Sequence, residues 1–292
     1  MGADSSTGSS TGHIVDLVVQ CDAGAGNAGR VALAASLAQR HGAQLAGLHV
    51  IDLLAATAMS AAAAGDAAGV GILMERMRAD ALEAAVGVEA AFRAAAGREG
   101  VAGEWRLVED AAPATVRLHA RHADLVVLGQ TEPDGPAGQD AIIEHVLFGS
   151  GGPVLMVPAK GSFKTPGRRV LVAWNASREA VRAARDALPL LGGAELVRLV
   201  AVDPEPSEDG TGPSPAADFA RHLARHGLPV DVAAVPSAGA DAADVLLRAA
   251  NEMGADLLVM GGYGRGPLRE MILGGVTSSI LHHMTLPVLM AH

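Results

Sequence analysis

The sequence has a single cysteine, Cys21, and aromatic residues make up only 2% of its 292 positions. One thiol excludes an intramolecular disulfide and fits a reducing compartment. Half of the residues are apolar, so a core without rings has to be assembled from Ala, Val and Leu, with thin side chains and closely packed elements. Long apolar runs are missing too. No stretch of about 18 apolar residues is free of charge, which excludes a helical membrane span. Basic charge is in short supply: 22 Lys and Arg against 32 Asp and Glu leave a formal net charge of −10. Phosphate neutralisation by Lys and Arg supplies most nucleic-acid affinity, so no nucleic acid is expected as a partner. An anionic membrane is a poor partner on the same ground. Met1 to Gly12 is rich in Ser, Thr and Gly without an apolar run. It reads as a disordered N-terminus rather than a signal peptide, and the chain as soluble and cytoplasmic.

What the chain does have is an internal repeat. "ADLVVLG" at Ala123–Gly129 returns as "ADLLVMG" at Ala255–Gly261, and "PVLMVP" from Pro153 returns as "PVLMAH" from Pro287. "LAGLHVID" ending at Asp52 matches "LVRLVAVD" ending at Asp203, and "DLVVQCDAG" around Asp22 matches "RVLVAWNAS" around Asn175. The four pairs keep the same order, with offsets of about 130 to 155 residues.

Each copy opens with a short β-branched run, "IVDLVVQ" or "RVLVAW", which predicts a buried strand. A helical segment follows, "AGRVALAASLAQRHG" or "SREAVRAARDALPLLGG", the latter with Ser177 as N-cap and Gly192 as stop. A second strand and a variable stretch come next. The stretch precedes a long helix at Ile72–Ala96 in the first copy and a shorter one at Phe219–Arg225 in the second. A third strand, a helix, the "ADLVVLG" strand, a last helix and the "PVLM" strand complete the unit. Such alternation predicts right-handed crossovers and a mostly parallel sheet covered on both faces. The Lys-, Gly- and Pro-containing joint gives residues 1–12 as an N-terminal tail, 13–159 as a first domain, 160–167 as a linker and 168–292 as a second domain.

The strand order, "ADLLVMGGYGRG", "ILGGVTSSIL" and the closing "PVLM" resemble the universal stress protein family, in a tandem form. The resemblance runs from residue 13 onward and is strongest over Ala255–Met290. It implies two tandem Rossmann-like, adenine nucleotide alpha hydrolase-like domains. Each would be a mostly parallel five-stranded sheet with helices on both faces, the two paired as a pseudo-dimer. It also implies a stress-response role, and ATP with Mg²⁺ as ligand. Nucleotide-binding members carry G-x2-G-x9-G-(S/T). Here Gly261, Gly264 and Gly274 match, Gly275 stands where Ser or Thr is expected, and Thr277 lies two residues on. The family's binders place an Asp at the end of the first strand, where this copy has Asn175. Ala201, ending the second strand, would line the adenine. The cofactor-binding set is therefore Ala173, Asn175, Ala201, Met260, Gly261, Gly264, Arg265, Gly274, Gly275, Val276 and Thr277.

The chemistry of that set is physical. Ligands of open α/β sheets bind at the carboxyl ends of the strands. Glycines let the backbone aim N–H groups at an anion, and a helix N-terminus adds unpaired donors and partial positive charge. Gly275 lacks a hydroxyl but keeps its N–H, and Asn175 offers a neutral hydrogen-bonding group. The same glycines also serve as turns or for close packing. In the first copy Glu132 replaces the second motif glycine and Asp140 falls near the position of Gly274. Carboxylates facing a phosphate repel it. Asp22 keeps the first-strand acid, but the phosphate half is missing, so this copy reads as a structural partner.

No catalytic constellation stands out, no catalytic residue or metal ligand is assigned, and any hydrolysis would be slow. Cys21 reads as buried and inert. The eleven histidines show no ligand spacing, and the adjacent His282 and His283 point in different directions. Trp174 packs in the core or walls the adenine site, with packing favoured. Glu109–Asp110 and Glu208–Asp209 read as solvated loop ends, Ala55–Gly71 as a flexible loop or a lid, and Met253, Met260 and Met271 as fillers of an aromatic-poor core. The short strands at Pro153–Val157 and Pro287–Met290 are pairing edges. The resemblance implies that the last strands of two domains pair, so here they are expected to satisfy each other within the chain, with a further homodimer open. The readings are an ATP-binding sensor or accessory factor, a nucleotide-free module for an unknown protein partner, or a very slow ATPase.

Overall fold

A computed structural model describes residues 12–53, 67–132, 138–204, 216–262 and 275–292. Residues 1–11 of the proposed tail (residues 1–12), Glu208–Asp209 and Met271 lie outside them, as does most of the Ala55–Gly71 stretch.

The first half runs β1 (Asp16–Gln20), α1 (Asn27–His41), β2 (Gln44–Ile51), α2 (Ala67–Arg98), β3 (Gly103–Glu109), α3 (Ala112–Ala120), β4 (Leu125–Gly129), α4 (Gln139–Gly149) and β5 (Val154–Val157). The second runs β6 (Arg169–Ala173), α5 (Arg178–Asp186), a 3-10 turn (Leu188–Leu191), β7 (Leu196–Val202), α6 (Ala217–Arg225), β8 (Val230–Val235), α7 (Ala242–Glu252), β9 (Leu257–Gly261), α8 (Gly275–His283) and β10 (Val288–Ala291). Three boundaries differ from the sequence reading. The long helix reaches back to Ala67, through part of the stretch read as loop, and the shorter one starts at Ala217. The helix opened by Ser177 does not reach Gly192, because Pro189 lacks the N–H a helix interior needs. Ser177 is the N-cap, its Oγ accepting the Ala180 N–H at 3.2 Å.

The strands form one sheet, ordered β3-β2-β1-β4-β5-β10-β9-β6-β7-β8. Every neighbouring pair is parallel except β5 with β10. At that seam Leu155 faces Leu289, with Val154 opposite Met290 and Met156 opposite Val288. These are equivalent residues of the two copies, so the seam is self-complementary, as a two-fold contact requires. Two short edges that would each be a pairing hazard close on one another.

Helices cover both faces. One buried cluster joins α1, α2, α5 and α6, the other α3, α4, α7 and α8, and each contains strand residues from both halves. Close packing stands in for aromatic bulk. Phe92 on α2 is fully buried over a notch formed by Gly47 and Gly103, where a Cβ would lie 2.6 and 2.7 Å from its ring. Met253 and Met260 are buried as expected. Glu109 is exposed at the end of β3, where it forms a bidentate pair with Arg78 at 2.7 and 2.7 Å.

Candidate functional site

The parallel order brings the ends of β6, β7 and β9 side by side in the second half. Val172 pairs with Val259 and Ala173 with Val200, and the Trp174 N–H donates to the Val200 carbonyl at 2.8 Å. Ala173 thus ends β6, and Ala201 and Met260 are the next-to-last residues of the adjacent β7 and β9. Ala201 and Met260 are 8% and 4% exposed, and Ala173 is half-buried. Gly275, Val276 and Thr277 form the first turn of α8, with Thr277 buried. Gly264, Arg265 and Gly274 lie outside the described residues.

Gly261 has a packing reason of its own. A Cβ there would lie 2.6 Å from the Ala180 nitrogen and 2.7 Å from the Glu179 carbonyl carbon, so the first turn of α5 crosses it at backbone distance. Gly275 has no such reason, since among the described residues nothing would come within 4 Å of its Cβ. Asn175 is exposed, and its Oδ1 accepts the Ser177 N–H at 3.1 Å. It therefore shapes the turn into α5 with one lone pair of the group expected to meet a ligand hydroxyl. Three turns of the second half are strained. Ala176, Asp203 and Ala238, following β6, β7 and β8, have φ of 58°, 43° and 50°, a left-handed conformation costing a non-glycine residue about 1–2 kcal/mol. They are the non-glycine residues in that region among those described, and all belong to the second half. Ser237 donates to the Asp203 carboxylate, through its side chain and through its N–H at 3.0 Å, holding Asp203 below the usual carboxylate range.

At the corresponding strand ends of the first half, polar side chains bond to one another. Arg30, 4% exposed, reaches from α1 to the end of β1, its Nε donating to the Gln20 carbonyl at 2.7 Å. Its second guanidinium nitrogen meets the Asp22 carboxylate at 2.6 Å and Asn27 Oδ1 at 3.2 Å. Gln139, opening α4, donates to the Gly129 carbonyl at 2.8 Å and exchanges amide hydrogen bonds with Gln20 at 2.9 and 3.0 Å. Asp140, in the first turn of α4, accepts the Thr131 hydroxyl at 2.6 Å. His49, the counterpart of Ala201, turns back to the Cys21 carbonyl at 2.7 Å and stacks on Trp105. Asp22, read from the sequence as a retained site acid, is instead the counterion of Arg30. Neither Arg30 nor the two glutamines stood out in the sequence. The available signal was the pairing of Gln20 with Ala173 across the repeat; His49 corresponds to Ala201 only in the register of the sheet.

The remaining candidates resolve simply. Burial pushes the Cys21 thiol up to about 12, so it carries no thiolate at neutral pH. Trp174 is buried and stacks on Phe219 of α6 at 4.3 Å, which is the packing reading. The histidines do include one ligand spacing, contrary to the sequence reading. His222 and His226 are four residues apart with ring centroids at 5.0 Å. Among the described residues no three metal-ligating side chains converge, and no helix is long and apolar enough to cross a membrane.

Comparison with known proteins places this arrangement. Residues 167–292 match the model of the universal stress protein family. A universal stress protein from Archaeoglobus fulgidus DSM 4304 shares the fold with a TM-score of 0.66, at 19% identity, over 94% of this chain and 97% of that one. A functionally unknown protein from Pseudomonas aeruginosa PAO1 does so with a TM-score of 0.56, at 16% identity, over 97% and 94%. No curated protein matches. Residues 167–292, the second half of the chain, carry the match to the universal stress protein family, and the first half repeats the same order of strands and helices beside them.

Proposed function

We propose that the second half binds an adenine nucleotide, ATP with Mg²⁺, at the ends of β6, β7 and β9, and that the protein acts as a sensor or accessory factor in stress response. The observation that carries this reading is the contrast between the halves. Where the first half places Gln20, His49, Arg30 and Gln139, the second has Ala173 and Ala201 near the ends of β6 and β7, beside the strained turns at Ala176 and Asp203. A small-residue floor at the carboxyl edge of a parallel sheet, next to a helix N-terminus, suits a nucleotide. Ala173, Ala201 and Met260 would line the base, and Asn175 the ribose. Gly261, Gly264, Arg265, Gly274, Gly275, Val276 and Thr277 would surround the phosphates. The first half would bind none. With the last strands paired within the chain, a homodimer would use other surfaces.

The second reading is a nucleotide-free module that docks a protein partner. It is favoured by the packing reason for Gly261 and by the use of Asn175 Oδ1 within its own turn. The protein as purified, denatured and read by mass spectrometry, together with calorimetric titration of stripped protein with MgATP, decides between them. About one nucleotide per chain, or saturable binding, is expected. No released nucleotide and no heat at millimolar MgATP would leave the docking module. A gain of function checks the same site from the other side. Gly275→Ser restores the missing hydroxyl where space is open and is expected to tighten MgATP binding by about 3- to 10-fold, one hydrogen bond's worth. Unchanged affinity in a wild type that binds would place the phosphates away from α8.

A further inference from the structure

We infer that the first half positions the nucleotide site of the second, and that Gln130 is the residue through which it does so; the inference rests on the nucleotide reading above. Gln130 follows β4, and its backbone N–H donates to the Val157 carbonyl at 2.9 Å. Its side chain leaves its own half. Nε2 donates to the His282 carbonyl at 3.0 Å and reaches that of Met284 at 3.4 Å, while Oε1 accepts the Ala159 N–H at 3.1 Å. The two carbonyls stand at the C-terminal end of α8, where helix carbonyls lack intrahelical partners. The carboxamide therefore caps a helix of the second half from the first.

α8 has nine residues, about 13 Å of helix, and after Gly275 it contains neither Gly nor Pro to bend it. Fixing its far end thus constrains its first turn, Gly275–Thr277, where the phosphates are proposed to lie. Gly262, the counterpart of Gln130, abuts the first half as well. Its N–H donates to the Ala291 carbonyl at 2.9 Å, repeating the Gln130 pattern. A Cβ on Gly262 would lie 2.7 Å from Leu147 Cδ2 on α4, so the second half gives up a side chain here to admit Leu147. The Gly262 carbonyl is 3.1 Å from His292 Nδ1, and the His292 ring sits 4.8 Å from Phe148 of α4. Both the backbone just past β9 and the helix that follows thus meet side chains of the first half.

Two variants of the full chain test this. Gln130→Leu removes the donor and keeps much of the shape. Gln130→Lys keeps an N–H donor and puts a cation at the negative end of the helix dipole. MgATP affinity by calorimetry, amide hydrogen exchange in α8 and the thermal midpoint are measured for both and for wild type. Gln130→Leu is expected to weaken MgATP about 3- to 10-fold and to speed exchange in α8, with the midpoint little changed, while Gln130→Lys stays within about twofold of wild type. Wild-type affinity in Gln130→Leu would overturn the inference, and so would unchanged exchange in α8. Should wild type bind no MgATP while Gln130→Leu still loosens α8, the nucleotide reading fails and Gln130 remains an anchor of that helix.

Discussion

Arg30→Met is expected to lower the free energy of unfolding by about 3–5 kcal/mol, the usual cost of removing one partner from a buried ion pair. The guanidinium is 4% exposed and its partner Asp22 16%, so solvent screens the pair little. Without Arg30 the Asp22 carboxylate stays in place with no countercharge, and the Gln20 carbonyl and Asn27 Oδ1 each lose a donor. Methionine fills much of the volume, so the loss reports the polar network rather than a cavity. Urea denaturation checks it: the midpoint should fall with the slope unchanged. A loss below about 1 kcal/mol would mean that the pair barely outweighs its desolvation cost, and that something other than Arg30 holds the first-half strand ends. The variant should gain no nucleotide site, because Glu132 and Asp140 remain to repel a phosphate.

That network shows where the sequence was readable. The repeat, the alternation of strand and helix and the pairing of the two "PVLM" strands all rest on local patterns, apolar runs and turn residues, and these translated into ten strands in one sheet. The site was legible at a different level. Positions near strand ends could be assigned by register, and Ala173, Ala201 and Met260 lie in the last two positions of three adjacent strands. Which side chains meet at strand ends depends on rotamers and on contacts between residues far apart, such as Gln20 with Gln139, and no periodicity encodes that. Asp22 shows the consequence: an acid at the right strand end looked like a ligand group until Arg30, eight residues on, was found to neutralise it. Gly261 shows the reverse. It fits a phosphate-binding pattern, yet the backbone of α5 alone requires it.

Gly264→Glu is therefore the substitution with the largest expected effect on the proposed function, and Gly261→Ala is the one that would mislead. A carboxylate about 5 Å from the phosphates, at an effective dielectric of about 20, costs about 3 kcal/mol, so MgATP affinity should fall by roughly 100-fold. Stability should change little, because the first half already carries Glu132 at the equivalent position within the same fold. Gly261→Ala drives a methyl into the Ala180 nitrogen and the Glu179 carbonyl carbon, neither of which can rotate away as a side chain would. α5 must shift, at about 1–3 kcal/mol or more, and binding would suffer whether or not Gly261 meets a ligand. Measured side by side, calorimetry for affinity and thermal melting for stability separate the two causes. Gly264→Glu should lose nucleotide and keep its midpoint, while Gly261→Ala should lose its midpoint first. A Gly264→Glu variant that binds MgATP as wild type does would remove the glycine-rich stretch from the site and leave these glycines as the means by which a strand meets a helix.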